Sequence, residues 1–356
     1  MSNTPNTIHA LNTIDLLPLT ARGPLSSYIV GLVGQHPNED TDLSPLRELV
    51  ETAVAGNSSL THDDDVQVSL FVLYGLHYGS LGGLGAEWEW NPELIAARGK
   101  LERAFEAELR ALIPVPETPE PTRAAVAQAL AVLTAVESGP SLSRFVAKKA
   151  TPEQLQEFLI QRSIYTLREA DPHSWAIPRL SGRPKAALVE IQADEYGDGR
   201  PERMHAEIFA RTMRAMGLDS SYGHYIDVVP AITLASLNMM SMFGLNRRLR
   251  GAIVGHLAAF EMTSAIPNQM YGNGFRRHGH GESVTDYFDE HVEADAVHEQ
   301  IAAHDLAGSL AEDEPALVAD IMFGASACLT VDGWAGDHML TSWTNEQSSL
   351  RSKDTL

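Results

Sequence analysis

The sequence predicts an all-α protein, and three observations lead to this fold class. Leucine and phenylalanine recur at four-residue intervals among charged residues between Ala96 and Leu109, which is the spacing of a helix with one apolar face. Helix start signals are present, as at Thr151-Pro152, where an N-cap residue precedes a proline suited to the first helical position. Strands would instead need alternating apolar and polar residues bounded by turn pairs, and such stretches are scarce.

The N-terminal third is predicted to be a loose arm followed by helices. Residues 1–23 are polar and show no sustained periodicity, whereas a largely helical pattern runs from Pro24 to Leu112. The glycine-rich stretch 79–85 interrupts this pattern. No Lys-Ser or Lys-Thr pair follows it, so we interpret it as a turn rather than a phosphate-binding loop.

A proline-rich linker divides the chain. Residues 114–121 contain four prolines, which cannot continue a helix and favour an extended conformation. We therefore predict two parts, residues 1–121 and residues 122–356. The second part is predicted to be a succession of helices, at 122–137, 152–170, 184–196, 202–216, 230–243, 246–263, 284–305 and 313–341. Gly217 is expected to end one of them, because glycine readily adopts the left-handed conformation of a C′ position.

The composition favours a soluble protein of the cytoplasm that binds neither nucleic acid nor membranes. The 356 residues include 26 Lys and Arg against 47 Asp and Glu, a formal net charge of −21, and so acidic a surface repels phosphate groups. Cys328 is the only cysteine, which excludes an intramolecular disulfide and a thiolate metal cluster and fits a reducing compartment. We see no secretory signal and no run of eighteen apolar residues, because even residues 228–243 are interrupted by polar side chains.

The most informative segment contains His291, Asp295 and His298. Each helical residue advances about 100°, so positions i, i+4 and i+7 fall within an arc of about 60°. Glu293 lies about 200° around the axis from His291 and faces elsewhere. Two imidazoles and a carboxylate on one stripe suit a divalent metal that prefers nitrogen and oxygen ligands. The alternative is a solvated polar face on an acidic protein.

A second candidate pair is Glu195 and His205. Ten residues separate them, which on a straight helix leaves them about 80° out of alignment. Gly197, Gly199 and Pro201 predict a break between them, so both side chains can still converge. Taken alone, His205 fits a packed or surface histidine as well as a ligand.

Two further glutamates are candidates. Glu261 lies on an apolar helix and needs a partner if it is buried, either a metal or an ion pair. Glu169 lies near the end of the helix that begins at Pro152, and taken alone it is expected to be solvated.

Taken together, these residues resemble those of the haem-oxygenase-like diiron oxidases and oxygenases. The resemblance covers roughly residues 140–310 and is most specific in Glu-Tyr-Gly-x-Gly from Glu195, the histidine ten residues later, and His-x-x-x-Asp-x-x-His from His291. It implies a seven-helix bundle that holds two iron ions. The metal ligands that it implies are Glu195, His205, Glu261, His291, Asp295 and His298, with Glu169 as an additional ligand.

The resemblance also implies a class of reaction. Dioxygen is the expected co-substrate, with an external electron donor where the reaction needs one. The resemblance implies an amino acid, an amine or a fatty acid as the substrate, and of these we expect an amino-acid- or amine-derived molecule of secondary metabolism. The expected reaction is N-oxygenation, desaturation or carbon–carbon cleavage. Tyr196 and Glu202 are candidates for supporting the ligands or contacting the substrate. Residues 1–121 look like the helical arm that some members use for dimerisation, so a homodimer is expected.

Other interpretations remain open. A ferritin-like site would use Glu202 three residues before His205, in place of Glu195, and would leave His291 unexplained. A metal-free hydrolase or oxidase of the same fold would not need three aligned ligands, and a non-catalytic iron protein would turn over no substrate. The methionine-rich residues 237–243 fit a dry cavity wall, although core packing is the more common use. Residues 276–281 are expected to be a surface or lid loop.

Overall fold

In the computed structural model, every regular element is a helix over the residues that it describes, which are 19–37, 41–56, 59–79, 81–135 and 141–351. The side chains of residues 293–297 are not described. The all-α prediction is confirmed. The α-helices in chain order are α1 Pro24–Val33, α2 Ser44–Gly56, α3 Asp64–Tyr78, α4 Pro92–Leu112, α5 Arg123–Thr134, α6 Leu142–Lys148, α7 Pro152–Thr166, α8 Asp171–Ser174, α9 Gly182–Glu195, α10 His205–Ala215, α11 Ala231–Leu245, α12 Arg250–Arg277, α13 Glu282–Gln300, α14 Ser309–Asp313 and α15 Val318–Thr344.

Local signals in the sequence explain several helix ends. Thr151 caps α7 by accepting a hydrogen bond from the Gln154 amide at 3.3 Å, with Pro152 in the first turn. Gly217 follows α10 with a φ of 75°, as predicted. The break expected before His205 is present, because Gly197 and Gly199 adopt φ values of 68° and 77° after α9.

Two predicted helices and one predicted loop differ in length from those observed. The helix predicted over 246–263 is α12, which continues through Pro267 to Arg277. Beyond the proline it packs against α13 and α6, since Gly272 lies beside Phe288 and Gly274 beside Val146, and this packing outweighs the local cost of the proline. Residues 276–277 are therefore helical, and Arg277 donates to the Ala150 carbonyl at 2.5 Å, so only 278–281 form a loop. The helix predicted over 284–305 is α13, which passes into a π-helix at Ile301–Gly308.

Glycines bring α12 and α15 into close contact. A Cβ atom on Gly255 would lie 1.8 Å from the carbonyl oxygen of Ile321, and one on Gly324 would lie 1.9 Å from that of Ala252. Only glycine permits the two backbones to approach so closely. This crossing fixes the two helices that form one side of the site described below.

The N-terminal helices share a core with the rest of the chain. Helix α3 packs against α11, and the buried Asn238 amide donates to the Gln67 carbonyl at 2.8 Å. One apolar cluster therefore contains residues from both sides of the proline-rich linker. Dimerisation through residues 1–121 stays a prediction.

Pro315–Thr344, which contains α15, is long and apolar enough to cross a membrane by length and composition alone. Within the protein, 61% of its most apolar window is buried. Core helices commonly pass the same test, so this helix is weak evidence for a membrane span.

Candidate metal centre

Two groups of buried carboxylates and imidazoles lie next to each other in the helical core. Within each group, one ligand atom per residue lies within 4.8 Å of the others. The first group consists of Glu169, Glu195, His205 and His291, and the second consists of Glu195, Glu261 and His298. Glu195 belongs to both groups, so one carboxylate lies between two potential metal positions.

The glycine-containing break brings Glu195 and His205 together. Glu195 is the last residue of α9 and His205 the first of α10, and the Nδ1 atom of His205 lies 3.0 Å from Oε2 of Glu195. The turn needs glycine at Gly197, because a Cβ there would lie 2.6 Å from the Met204 amide nitrogen. The predicted convergence of the two side chains is therefore present in the structure.

His291 and Glu169 face each other across the first group. The Nε2 atom of His291 lies 3.5 Å from Oε1 of Glu169. The Nδ1 atom lies 2.7 Å from the Tyr287 carbonyl oxygen, to which it donates when protonated, so Nε2 is directed at the group. The Tyr287 hydroxyl donates to both Glu169 oxygens, at 2.8 and 2.9 Å. Glu169 is therefore buried and held in place, and the expectation that it is solvated was wrong.

His298 occupies the second group. Its Nδ1 atom lies 3.3 Å from Oε2 of Glu261, and its Nε2 atom lies 3.1 Å from Oδ2 of Asp194. The sequence did not single out Asp194, because neighbouring residues on a helix point about 100° apart and Glu195 was expected to face the site. The end of α9 at Glu195 allows both carboxylates to reach the site.

The carboxylates change the pKa of the histidines. Burial lowers the pKa of His298, but Glu261, Glu195 and Asp194 outweigh burial and raise it to about 9. Burial also lowers the pKa of His205, but Glu195 beside it outweighs burial and makes the net shift upward. For Glu169, burial raises the pKa, yet His291 beside it makes the net shift downward. A metal bound here must therefore displace protons from imidazoles.

The remaining candidates are placed as follows. Asp295 and Glu293 are both part of α13, but the structure does not describe their side chains. Glu202 is exposed on a short turn and belongs to neither ligand group, which disfavours the ferritin-like arrangement. Tyr196 donates to Asp171 at 2.8 Å and so fixes the loop after α9.

A cavity of about 250 Å³ opens onto both ligand groups. Its wall includes Glu169, Glu195, Glu261 and His291. Much of the rest is apolar, with contributions from Phe158, Leu237, Met240, Leu257 and Phe260. Residues 237–243 therefore serve both of the purposes considered for them. Met240 lines the cavity, whereas Met239 and Met242 pack in the core.

Sequence reasoning missed three residues of this cavity. Tyr287 lies four residues before His291, so helical spacing was the available signal for it. Arg162 and Asp332 come from α7 and α15 and carry no spacing signal. Their position follows from long-range packing alone.

The donor atoms fit a transition metal. In the described part of the chain, the buried atoms Glu195 Oε2, His205 Nδ1 and His298 Nδ1 have no hydrogen-bond partner of suitable geometry. Buried polar atoms are almost always satisfied, and a metal ion would satisfy these three. Carboxylates with imidazoles and no thiolate suit iron.

Comparison with known proteins agrees with this geometry. The iron-containing redox enzyme family matches residues 156–333, which is half of the chain and confirms the haem-oxygenase-like fold. The chain is also 28% identical over 156 residues to a nitrosourea synthase from Streptomyces achromogenes subsp. streptozoticus. That alignment covers 44% of this chain and 33% of the relative, so the chain spans about a third of the relative's length. The chain belongs to the iron-containing redox enzyme family.

Proposed function

We propose that this protein is a non-haem diiron enzyme that uses dioxygen to oxidise a small organic molecule. The observation that carries the proposal is that two buried ligand groups share Glu195. Carboxylates and imidazoles form a hard, adaptable ligand set that Fe(II) accepts with positions left open. Two Fe(II) ions bound there would supply electrons for the reduction of dioxygen.

The residues around the two groups hold the ligands in place. Glu169 and Glu195 with two histidines would hold one ion, and Glu195, Glu261 and His298 the other. Tyr287 fixes Glu169 through its hydroxyl and His291 through its carbonyl oxygen. Such outer partners set ring orientation and ligand basicity. Asp295, on the helix α13 that also carries His291 and His298, is proposed as a further ligand.

The cavity supports an enzyme over an iron-storage protein. A small molecule bound in it would lie beside three of the proposed carboxylate ligands, and apolar groups such as Phe158, Leu257 and Phe260 would keep bulk water away from it. N-oxygenation, desaturation and carbon–carbon cleavage of an amine or amino-acid derivative are the reactions we propose, within secondary metabolism. A cytoplasmic homodimer is part of the same proposal.

An anaerobic titration with Fe(II) tests the metal centre. We expect about two Fe(II) per chain, because the ligands form two groups. A stoichiometry near zero, or one zinc ion that iron cannot displace, would overturn the diiron proposal. Oxygen uptake in the presence of candidate substrates tests the chemistry, and iron that is oxidised without any substrate turnover would indicate storage instead.

A further inference from the structure

Arg168 is buried and immediately precedes the proposed metal ligand Glu169 in the chain. Its guanidinium carbon lies 4.1 Å from the ring centre of Tyr78 and 4.2 Å from that of Tyr222. A guanidinium stacks its flat side on aromatic faces, which an ammonium group cannot do, and the attraction strengthens away from water. Tyr78, Arg168 and Tyr222 together form what we call the arginine–tyrosine cluster.

The two rings are the main partners of this guanidinium. In the described part of the chain, its Nε and Nη2 atoms are buried and have no hydrogen-bond partner. The carboxylate nearest to it in the ion pairs of the structure is that of Asp171, whose Oδ2 atom lies 3.9 Å from Nε and whose side chain is 38% exposed. So long and so exposed an ion pair is weak. Contact with the tyrosine rings therefore fixes the position of the Arg168 side chain.

Helix α3 of the N-terminal part holds both rings. Tyr78 is the last residue of α3, and its hydroxyl lies 3.0 Å from that of Ser241 on α11. The Tyr222 ring stacks on Phe71 of α3, with 6.2 Å between the ring centres and 20° between the ring planes. The Tyr222 hydroxyl is buried without a hydrogen-bond partner among the described residues, so the ring makes the contacts. The cluster thus connects the N-terminal part of the chain to the turn before α8.

This turn depends on contacts with its surroundings. Ala170 adopts a φ of 74°, which is strained for a residue that carries a Cβ atom. Such a conformation persists only where surrounding contacts fix it. The Gln192 side chain donates to the Ala170 carbonyl at 2.8 Å, and the arginine–tyrosine cluster anchors Arg168. Glu169 lies between these two anchored residues in the chain, so the direction of its side chain depends on both.

We propose that the arginine–tyrosine cluster positions Glu169 for metal binding, with Arg168 as a positioning residue supported by α3. This inference rests on the proposed function, because Glu169 is a ligand only if the first group binds an ion. It gives the N-terminal helices a role at the metal centre, although neither ligand group contains a residue from them. Because Glu169 is absent from the second group, loss of the cluster should weaken the binding of one ion and spare the other.

Anaerobic titration of paired variants with Fe(II) tests the proposal. Tyr222→Phe keeps the ring and loses only a hydroxyl without a partner, so it should bind both ions like the unmodified protein. Tyr222→Leu removes the aromatic face, and affinity for one ion should fall by about 10- to 100-fold while the other is retained. Arg168→Lys keeps the charge but loses the planar group, so it should behave like Tyr222→Leu.

Arg110→Lys is the matched control for Arg168→Lys. The guanidinium carbon of Arg110 also lies 4.1 Å from an aromatic ring centre, that of Phe323, but neither residue belongs to a ligand group or to the cavity wall. This variant should bind both ions with unchanged affinity. Equal loss of affinity in Arg110→Lys and Arg168→Lys would show that the effect is not specific to the cluster, and would overturn the positioning role.

Hydrogen exchange in the metal-free protein provides a readout that does not depend on iron. In the turn, the Arg168 amide donates to the Tyr165 carbonyl at 2.7 Å and the Asp171 amide to the Arg168 carbonyl at 3.2 Å. A peptide that covers residues 167–171 should exchange faster in Tyr222→Leu than in Tyr222→Phe, while a peptide from α15 should exchange alike in both. Faster exchange in both peptides, or loss of both ions together, would indicate a general role in stability and overturn the proposal.

The failure of this proposal can be told apart from failure of the proposed function. If the unmodified protein binds no iron, the proposed function is wrong, whereas faster exchange confined to the turn still shows that the cluster holds Glu169. If the unmodified protein binds two Fe(II) and consumes dioxygen with a substrate, the proposed function stands. Unchanged affinity and exchange in Tyr222→Leu and Arg168→Lys would then overturn the positioning role alone.

Discussion

The Nδ1 atom of His205 lies 3.0 Å from Oε2 of Glu195, although ten residues separate the two along the chain. The turn through Gly197 and Gly199 produces this contact, and both glycines have positive φ. They differ in their surroundings. A Cβ on Gly197 would lie 2.6 Å from backbone atoms of Arg203 and Met204, whereas one on Gly199 would have nothing within 4 Å.

The first prediction uses this difference. Gly197→Ala should move Glu195 and His205 apart, lower the iron content and destabilise the protein by about 1–3 kcal/mol, because it combines strain with a steric clash. Gly199→Ala adds only the backbone strain, about 1 kcal/mol, and should retain its iron. Iron analysis and thermal unfolding provide the measurements. Similar iron loss in both variants would show that the turn does not position the ligands.

The second prediction concerns the shared carboxylate. Glu195→Ala should remove most of the bound iron, because this residue belongs to both ligand groups. Glu202→Ala is the matched control on the adjacent exposed turn and should leave the iron content unchanged. If Glu202→Ala loses the iron and Glu195→Ala keeps it, a ferritin-like arrangement would replace the one proposed here.

The sequence predicted those parts of the site that depend on local geometry. His291 and His298 share a helix face but are about 10 Å apart along it, so they fall into different ligand groups. The glycine break correctly predicted the convergence of Glu195 with His205. The buried position of Glu169, in contrast, could not be predicted from the helical pattern. Helix α7 ends at Thr166, and Ala170 takes a φ of 74° in the turn that carries Glu169 into the core.

The rest depends on contacts between distant segments. Asp332 and Arg162 come from helices 170 residues apart in the chain, and no spacing relates them. The continuation of α12 through Pro267 likewise depends on packing against its neighbours, which outweighs the local cost of proline. Propensity and periodicity describe one segment at a time and cannot report such contacts.

The third prediction concerns Asp295, a ligand proposed from helical spacing. Asp295→Ala should lower the iron content, because a charged ligand on the face of His291 and His298 is lost. Glu293→Ala is the control on the same helix, because helical spacing turns residue 293 about 160° away from His291, and it should keep its iron. Iron analysis after anaerobic loading compares the two. Equal iron content in both variants would remove Asp295 from the ligand set.

The fourth prediction concerns the tyrosine that holds Glu169. Tyr287→Phe removes the hydroxyl that donates to both Glu169 oxygens while keeping the buried ring. Affinity for Fe(II) should fall by about 10- to 100-fold, the usual effect of losing a partner that orients a ligand. Tyr225→Phe loses a hydroxyl that accepts a hydrogen bond from the Asp219 amide at the surface, and this variant should bind iron normally. An unchanged affinity in Tyr287→Phe would show that the hydrogen bond from Tyr287 to Glu169 does not support iron binding.

The last prediction concerns a buried histidine pair outside the ligand groups. The Nε2 atom of His173 lies 3.1 Å from Nδ1 of His256, and both side chains are buried. Burial lowers the pKa of His173 from 6.5 to about 4 and lowers that of His256 as well. The folded protein therefore binds fewer protons than the unfolded chain in this range. Stability from the neutral pair is fully present above about pH 6.5 and is lost as the pH falls towards 4.

Thermal unfolding of the metal-free protein at pH 7 and pH 4.5 measures this effect. His173 alone should account for a loss of about 2–3 kcal/mol between the two pH values. His173→Gln should be destabilised at pH 7, where it lacks the neutral pair. Its deficit should shrink at pH 4.5, because there the unfolded chain of the unmodified protein is stabilised by protonating His173 while the folded imidazole stays largely neutral. The exposed His224 provides the control His224→Gln, whose acid dependence should match that of the unmodified protein. A deficit in His173→Gln that is the same at both pH values would show that His173 titrates alike in the folded and unfolded chains, and that the pair does not contribute to acid sensitivity.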